Sequence, residues 1–345
     1  MPRGSGSMAR TVARPEPRRR LTWPDGAPRV GIHLAVAKGL VPAARRARQI
    51  GATALQIFSD NPTAWRRRPE APKDAAQFIA FSKEHGIGPV AIHASYLINL
   101  AGTSEPFASQ SREGLRHEVQ RAPSYGASLV NTHIGSHRGE GQDAGLARIA
   151  AVVRDVLGDT PAGVRLVLEN SAGGGDTLGS RIEELAAILD AVGGSADRLA
   201  FCLDTAHLWG AGYDISTPEG ARAVLDRFAE LIGLDRLPLM HLNDSKSALG
   251  SRTDRHEHIG AGRIGAAGLA ALLRDPRLPG RTTLVMETPG EEEGYDAVNM
   301  RRAWLLHGGA ETLPELPARA MRLTRRSRRP APSGKKSEGA VRHRA

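Results

Sequence analysis

Nine side chains able to hold a divalent cation recur along the chain: His93, His133, Glu169, Asp204, His207, His241, Asp254, His256 and Glu287. Most share a position. His93, His133, Glu169 and Asp204 each close a short apolar run, as does His33, while His241 and Glu287 occupy the same place in two later runs. A single His there would read as a packing residue. Such residues in seven of eight runs point to one shared site. DTAH at 204–207 adds a His three residues after a run-end Asp, and DRH at 254–256 puts Asp and His two apart, on one side of an extended segment. Five imidazoles and four carboxylates suit zinc, with manganese acceptable at one position, better than magnesium. One ion takes about four protein ligands, and about three in a catalytic site, so this set implies two or three ions with bridging carboxylates. Closely spaced cations clamp the attacking and leaving oxygens of an in-line displacement at phosphorus and acidify a bound water. Phosphodiester hydrolysis is therefore the matching chemistry. No G-x-S-x-G elbow or Ser-His-Asp set competes, and Cys202, inside an apolar run, reads as core.

The eight runs lie at 30–33, 54–58, 90–93, 129–133, 165–169, 199–204, 239–243 and 283–287. Short and rich in Val, Ile and Leu, they read as strands buried on both faces. Helical spacing of Ala and Leu fills the intervals, for instance at 42–50, 75–85, 182–191 and 221–231. This alternation predicts an α/β fold, a (β/α)8 TIM barrel, whose strand ends all open on the face where active sites are built. An open doubly wound sheet is the alternative. No G-x-G-x-x-G follows the first run, so dinucleotide binding has no support.

The chain has 345 residues and a net charge of +10. Residues 1–28 carry +4 and residues 318–345 carry +9, which leaves 29–317 at −3. The barrel domain is accordingly placed at 29–317, between two basic arms whose Arg, Pro, Ser and Gly content predicts disorder. The arms read either as solvated tails or as attractors of a polyanion. No apolar run approaches the ~18–20 residues of a membrane span, and no apolar segment of a secretory signal follows the basic start. One cysteine excludes a disulfide framework. A cytoplasmic monomer with no membrane partner is expected.

The segments HASYLINL (93–100), THIGSH (132–137), LENSAG (168–173), LDTAH (203–207), AGYD (211–214), MHLNDSK (240–246), SRTDRH (251–256) and ETP (287–289) resemble, in order, the motifs of the endonuclease IV family. These are zinc-dependent apurinic/apyrimidinic endonucleases of the xylose isomerase-like TIM barrel superfamily. The resemblance runs from about residue 30 to about residue 310. It implies three zinc ions: one on His93, His133 and Glu169; one on Glu169, Asp204, His241 and Glu287; one on His207, Asp254 and His256. It also implies hydrolysis 5′ to an abasic site in duplex DNA, leaving a 3′-hydroxyl and a 5′-deoxyribose phosphate, with clearance of 3′-blocked ends as a second activity. Glu287, with Glu169, takes the catalytic role and orients the attacking water. Tyr96 and Leu97 resemble the pair that wedges into the duplex. Residues 59–65 match the family's second-strand loop, ending at Trp65. The Arg that the family often stacks in DNA falls on Thr63, with Arg66, Arg67 and Arg68 following Trp65.

Two other readings stay open. Glu169, Asp204, His241 and Glu287 alone would serve a metal-dependent sugar isomerase or epimerase on the same barrel, although His93, His133, His207, Asp254 and His256 would then have no task. A non-catalytic DNA-binding protein is the third, against which the cost of burying so many polar groups without metal speaks.

Overall fold

The computed structural model describes residues 21–291 and 293–320. Eight parallel strands close into a barrel: β1 (Arg29–His33), β2 (Ala54–Phe58), β3 (Val90–His93), β4 (Ala127–His133), β5 (Arg165–Glu169), β6 (Leu199–Asp204), β7 (Leu239–His241) and β10 (Thr283–Met286). β1 pairs with both β2 and β10, so no edge is left. Between β7 and β10 the chain inserts an antiparallel pair, β8 (Asp244–Ser245) and β9 (His256–Glu257). The α-helices of the described residues are α1 (Leu40–Ile50), α2 (Ala75–Glu84), α3 (Phe107–Arg121), α4 (Gln142–Gly158), α5 (Ile182–Val192), α6 (Thr205–Ala211), α7 (Pro218–Leu231), α8 (Gly265–Leu273) and α9 (Tyr295–His307), and three short 3-10 turns lie at Ala122–Tyr125, Gly193–Arg198 and Leu234–Arg236. The fold is the expected (β/α)8 barrel.

Each barrel strand buries both faces, and its two-residue period sorts side chains between two cores. Ala91, Leu129, Val167, Ala200, Cys202, Leu239 and Val285 fill the interior. Ile92, Val130, Leu166, Leu168, Phe201, Leu203, Met240 and Met286 face the other way, into the shell shared with the helices. The interior phase aims the site. His93, Glu169, Asp204, His241 and Glu287 each lie two residues beyond an interior residue, and His133 lies four beyond Leu129. Register levels them: His133 pairs with Glu169, Asp204 with His241, and His241 with Val285.

Part of each expected arm belongs to the folded body. Leu21 and Trp23 pack on the core; Trp23 Nε1 donates to the Gly51 carbonyl at 3.0 Å and its ring meets His307 edge-on at 5.6 Å. The Thr22 carbonyl accepts from Trp304 Nε1 at 2.9 Å. Averaging composition over 1–28 hid these two large apolar side chains. Ala320 is likewise buried. The remainder of both arms, 1–20 and 321–345, lies outside the described residues. Among the described residues, no helix is long and apolar enough to cross a membrane.

Candidate metal centre

All nine predicted ligands converge at the C-terminal mouth of the barrel, in three interlocking groups. His93, His133 and Glu169 form one, and Glu169, Asp204, His241 and Glu287 another, the ligand atoms of each lying within 4.8 Å of one another. Asp204, His207 and His256 form the third. Asp254 joins it, 3.2 Å from His207 Nε2 and 3.0 Å from His256 Nε2. Two carboxylates are shared. Glu169 Oε2 lies 3.5 Å from His93 Nε2 while its Oε1 lies 3.2 Å from His241 Nδ1. Asp204 Oδ2 lies 3.7 Å from His241 Nδ1 and 3.4 Å from His256 Nε2.

The chain fixes which nitrogen each imidazole presents. Nδ1 of His93 donates to the Ala94 carbonyl (2.8 Å), that of His207 to Asn170 (2.9 Å) and that of His256 to Glu287 (3.0 Å). Each Nε2 is thereby the nitrogen turned toward the carboxylates, the one a cation would take in place of a proton. His241 is turned the other way: its Nε2 donates to Gln56 Oε1 at 3.0 Å, and Nδ1 faces the centre. Amides tether the carboxylates. Gln56 Nε2 donates to Glu287 (2.7 Å), Asn131 Nδ2 to Glu169 (2.6 Å) and Asn243 Nδ2 to Asp204 (2.7 Å). Reading the sequence for ligands missed Gln56, Asn131 and Asn243. Their signal was a polar amide inside an apolar run, which must find a partner once buried.

Burial opposes charge on all these groups, so the net shifts show which partners prevail. Burial would raise the Glu169 carboxyl, but His241, His133 and His207 hold it well below the usual carboxylate range. His207 and His256 likewise overcome burial at Asp204. Conversely, burial disfavours the imidazoliums of His207 and His256, yet Asp204 and Asp254 hold both well above the ordinary histidine value. In the free protein, protons thus balance the carboxylates at the positions a cation would neutralise. Five convergent imidazoles, four carboxylates and preset ring orientations fit divalent metal ions. Cys202 Sγ comes within reach of Glu169 and His241, but burial pushes its thiol up to about 12 and it packs in the interior core.

A cavity of about 540 Å³ opens over the centre, lined by His33, Phe58, Tyr96, Lys246 and Arg255 as well as ligands. Tyr96 is 54% exposed and its ring stands 5.7 Å from that of His93 and 6.0 Å from that of His133, with Leu97 half-buried beside it. Its backbone N–H donates to the Pro62 carbonyl at 3.1 Å, which ties this loop to residues 59–65. The Trp65 ring stands 6.4 Å from that of Phe107. Of the three arginines after it, Arg67 donates to the Ala64 carbonyl (2.9 Å) and Arg68 pairs with Asp60 (3.2 Å), while Arg66 is exposed.

Comparison with known proteins places this geometry in a class. The family profile described as "Xylose isomerase-like TIM barrel" matches residues 44–305. Barrels such as a D-tagatose 3-epimerase-like protein, 15% identical with a TM-score of 0.60, share the fold alone. Within that class, "Probable endonuclease 4" of Chloroflexus aurantiacus is 37% identical over 82% of this chain and 100% of its own length. The Haloarcula marismortui protein of the same name is 38% identical over 81% and 99%. The crystal structure of endonuclease IV from Thermus thermophilus superposes with a TM-score of 0.69 at 38% identity, covering 81% of this chain and 100% of that one. The chain belongs to the endonuclease IV family.

Proposed function

We propose that the protein is a zinc-dependent endonuclease that cleaves duplex DNA 5′ to abasic sites, leaving a 3′-hydroxyl and a 5′-deoxyribose phosphate, and that it also clears 3′-blocked ends. The observation that carries this reading is the sharing of Glu169 and Asp204 among three ligand groups, directly beside the exposed Tyr96. Three ions would be held by His93, His133 and Glu169; by Glu169, Asp204, His241 and Glu287; and by His207, Asp254 and His256, with Asp204 also within reach of the third. Bound there, divalent cations acidify water and take up the charge that develops at phosphorus and on the leaving oxygen.

The chain's own groups do the rest. Glu287, tethered by Gln56 and facing the cavity, orients the attacking water. Tyr96 and Leu97 enter the base stack and offset the cost of flipping out the abasic nucleotide. Trp65 and Arg66 contact the second strand. A mononuclear isomerase would leave His93, His133, His207, Asp254 and His256 idle. The decisive experiment incubates the full chain with a duplex holding one abasic site, with and without strong chelator, and maps the cut. A chelator-sensitive nick 5′ to the lesion with a 3′-hydroxyl is expected. No nick from zinc-loaded protein, or turnover of a ketose instead, overturns the reading.

A further inference from the structure

Two non-glycine residues in the described chain have left-handed backbone: Arg138, φ 49°, and Arg252, φ 56°. They come from loops more than a hundred positions apart and line the same cavity, of about 360 Å³. That cavity adjoins the larger one, with which it shares Tyr96, His133, His207 and Asp254, and Leu97 also borders it. Left-handed backbone is unfavourable for a side chain with a Cβ, and such conformations concentrate where ligands are clamped.

The polar groups around this cavity are biased toward donors. Arg138 spends its backbone N–H on Ser136 Oγ (3.3 Å) and Arg252 on the Gly210 carbonyl (2.9 Å). Neither guanidinium has a carboxylate or carbonyl partner among the described residues. Asn170, 2% exposed, also lines the cavity; its Oδ1 accepts from the Asp204 N–H at 2.6 Å and its Nδ2 has no partner. The carboxylates that line it are already engaged, Asp254 by His207 and His256, and Glu169 by Asn131 and His241. The ligand that answers two guanidiniums and an uncommitted amide is an anion with several acceptor oxygens.

We propose that this cavity is a second phosphate subsite, in which Arg138 and Arg252, with Asn170, grip a backbone phosphate next to the scissile one on the Tyr96–Leu97 side. It rests on the nuclease reading above. The volume accommodates a phosphate together with its sugar, and the strained loops hold both guanidiniums at the mouth before DNA arrives. This subsite fixes the register of the strand over the metal centre.

The test uses the full, zinc-loaded chain and the double variant Arg138→Gly, Arg252→Gly, since glycine relaxes both backbones. Single-turnover cleavage of an abasic-site duplex is followed against enzyme and salt concentration. A second series replaces one phosphate at a time with uncharged methylphosphonate. In the double variant the half-saturating enzyme concentration should rise roughly tenfold, and the log–log salt dependence should be shallower by about 0.9 for each phosphate that is no longer neutralised. Zinc content should hold. The wild type should be impaired by a methylphosphonate at one flanking position where the variant is indifferent. An unchanged salt slope and an unchanged methylphosphonate pattern, with a raised Tm, would reduce the arginines to strained loop residues and overturn the subsite while cleavage stands. Failure of the wild type to cleave would remove the nuclease reading and the subsite with it.

Discussion

Glu287 is held from three sides: Gln56 donates to Oε1 at 2.7 Å, His33 Nδ1 lies 3.4 Å from the same oxygen, and His241 Nδ1 lies 3.2 Å from Oε2. Replacing it with Gln keeps the shape and removes the negative charge that orients water. Single-turnover cleavage should fall by at least ~10²-fold, with Tm and DNA affinity retained; a near-normal rate would assign Glu287 to structure alone. Gln56 touches no substrate, yet it sets the tautomer of His241. Gln56→Ala should weaken metal retention by roughly 10–100-fold, read by competition with a chromophoric chelator. Unaltered retention would mean that the interior core alone orients His241. Six of the ligands were legible because each is a rare residue type at a repeated place in an apolar run, and His207, Asp254 and His256 through their spacing in DTAH and DRH. The amides were not, because Gln, Asn and Thr inside a run look alike until the partner across the barrel is known. Asn243 shows this: it binds Asp204 through its side-chain nitrogen and the Glu287 N–H through its oxygen, contacts 39 and 44 positions away.

At the scale of elements, period and register explain the site, and both were visible as runs ending in the same kind of residue. The β8–β9 pair was not visible. Its strands are two residues long, too short for any periodic signal, yet it swings Asp254 and His256 over the barrel mouth. Helix α3 illustrates a different cost. It buries Glu118 against the end of β2, where Ser59 Oγ donates to the carboxylate and Arg67 stands 3.9 Å away. Burial prevails over Ser59 and Arg67 and pushes this carboxyl up to about 7. A carboxyl whose folded pKa lies above its unfolded value takes up a proton on folding. Its stabilising contribution is therefore gained as pH falls through about 7 and complete near 4.5. Between pH 8 and pH 6 the wild type should gain about 1 kcal/mol more stability than Glu118→Gln. Denaturant unfolding of both zinc-loaded proteins checks this, and parallel pH profiles would refute it.

For the molecule as a whole, charge is local. The body carries −3, yet Lys246 and Arg255 line one cavity at the mouth and Arg138 and Arg252 the other. Residues 321–345, outside the described chain, add +8. Since Ala320 is buried, the informative truncation falls after it. That truncation should leave zinc content and single-turnover rate at saturation unchanged, and make the salt slope for undamaged duplex shallower by roughly two to five; an equal slope would show that the segment does not contact DNA. Composition alone did not mark where the folded body ends, because Trp23 and Ala320 declare themselves only against the surface they cover. One last consequence follows from the double duty of Glu169 and Asp204. With ions held as proposed, stripping one position would free an oxygen on which a neighbouring position relies to stay aligned, which would make occupancy collective. Chelator titration should give a sigmoidal loss, with half-loaded protein scarce in native mass spectra, and mild sequestration should leave a population divided between fully charged and empty molecules. A graded series of intermediates in equal proportion would instead mark three independent pockets.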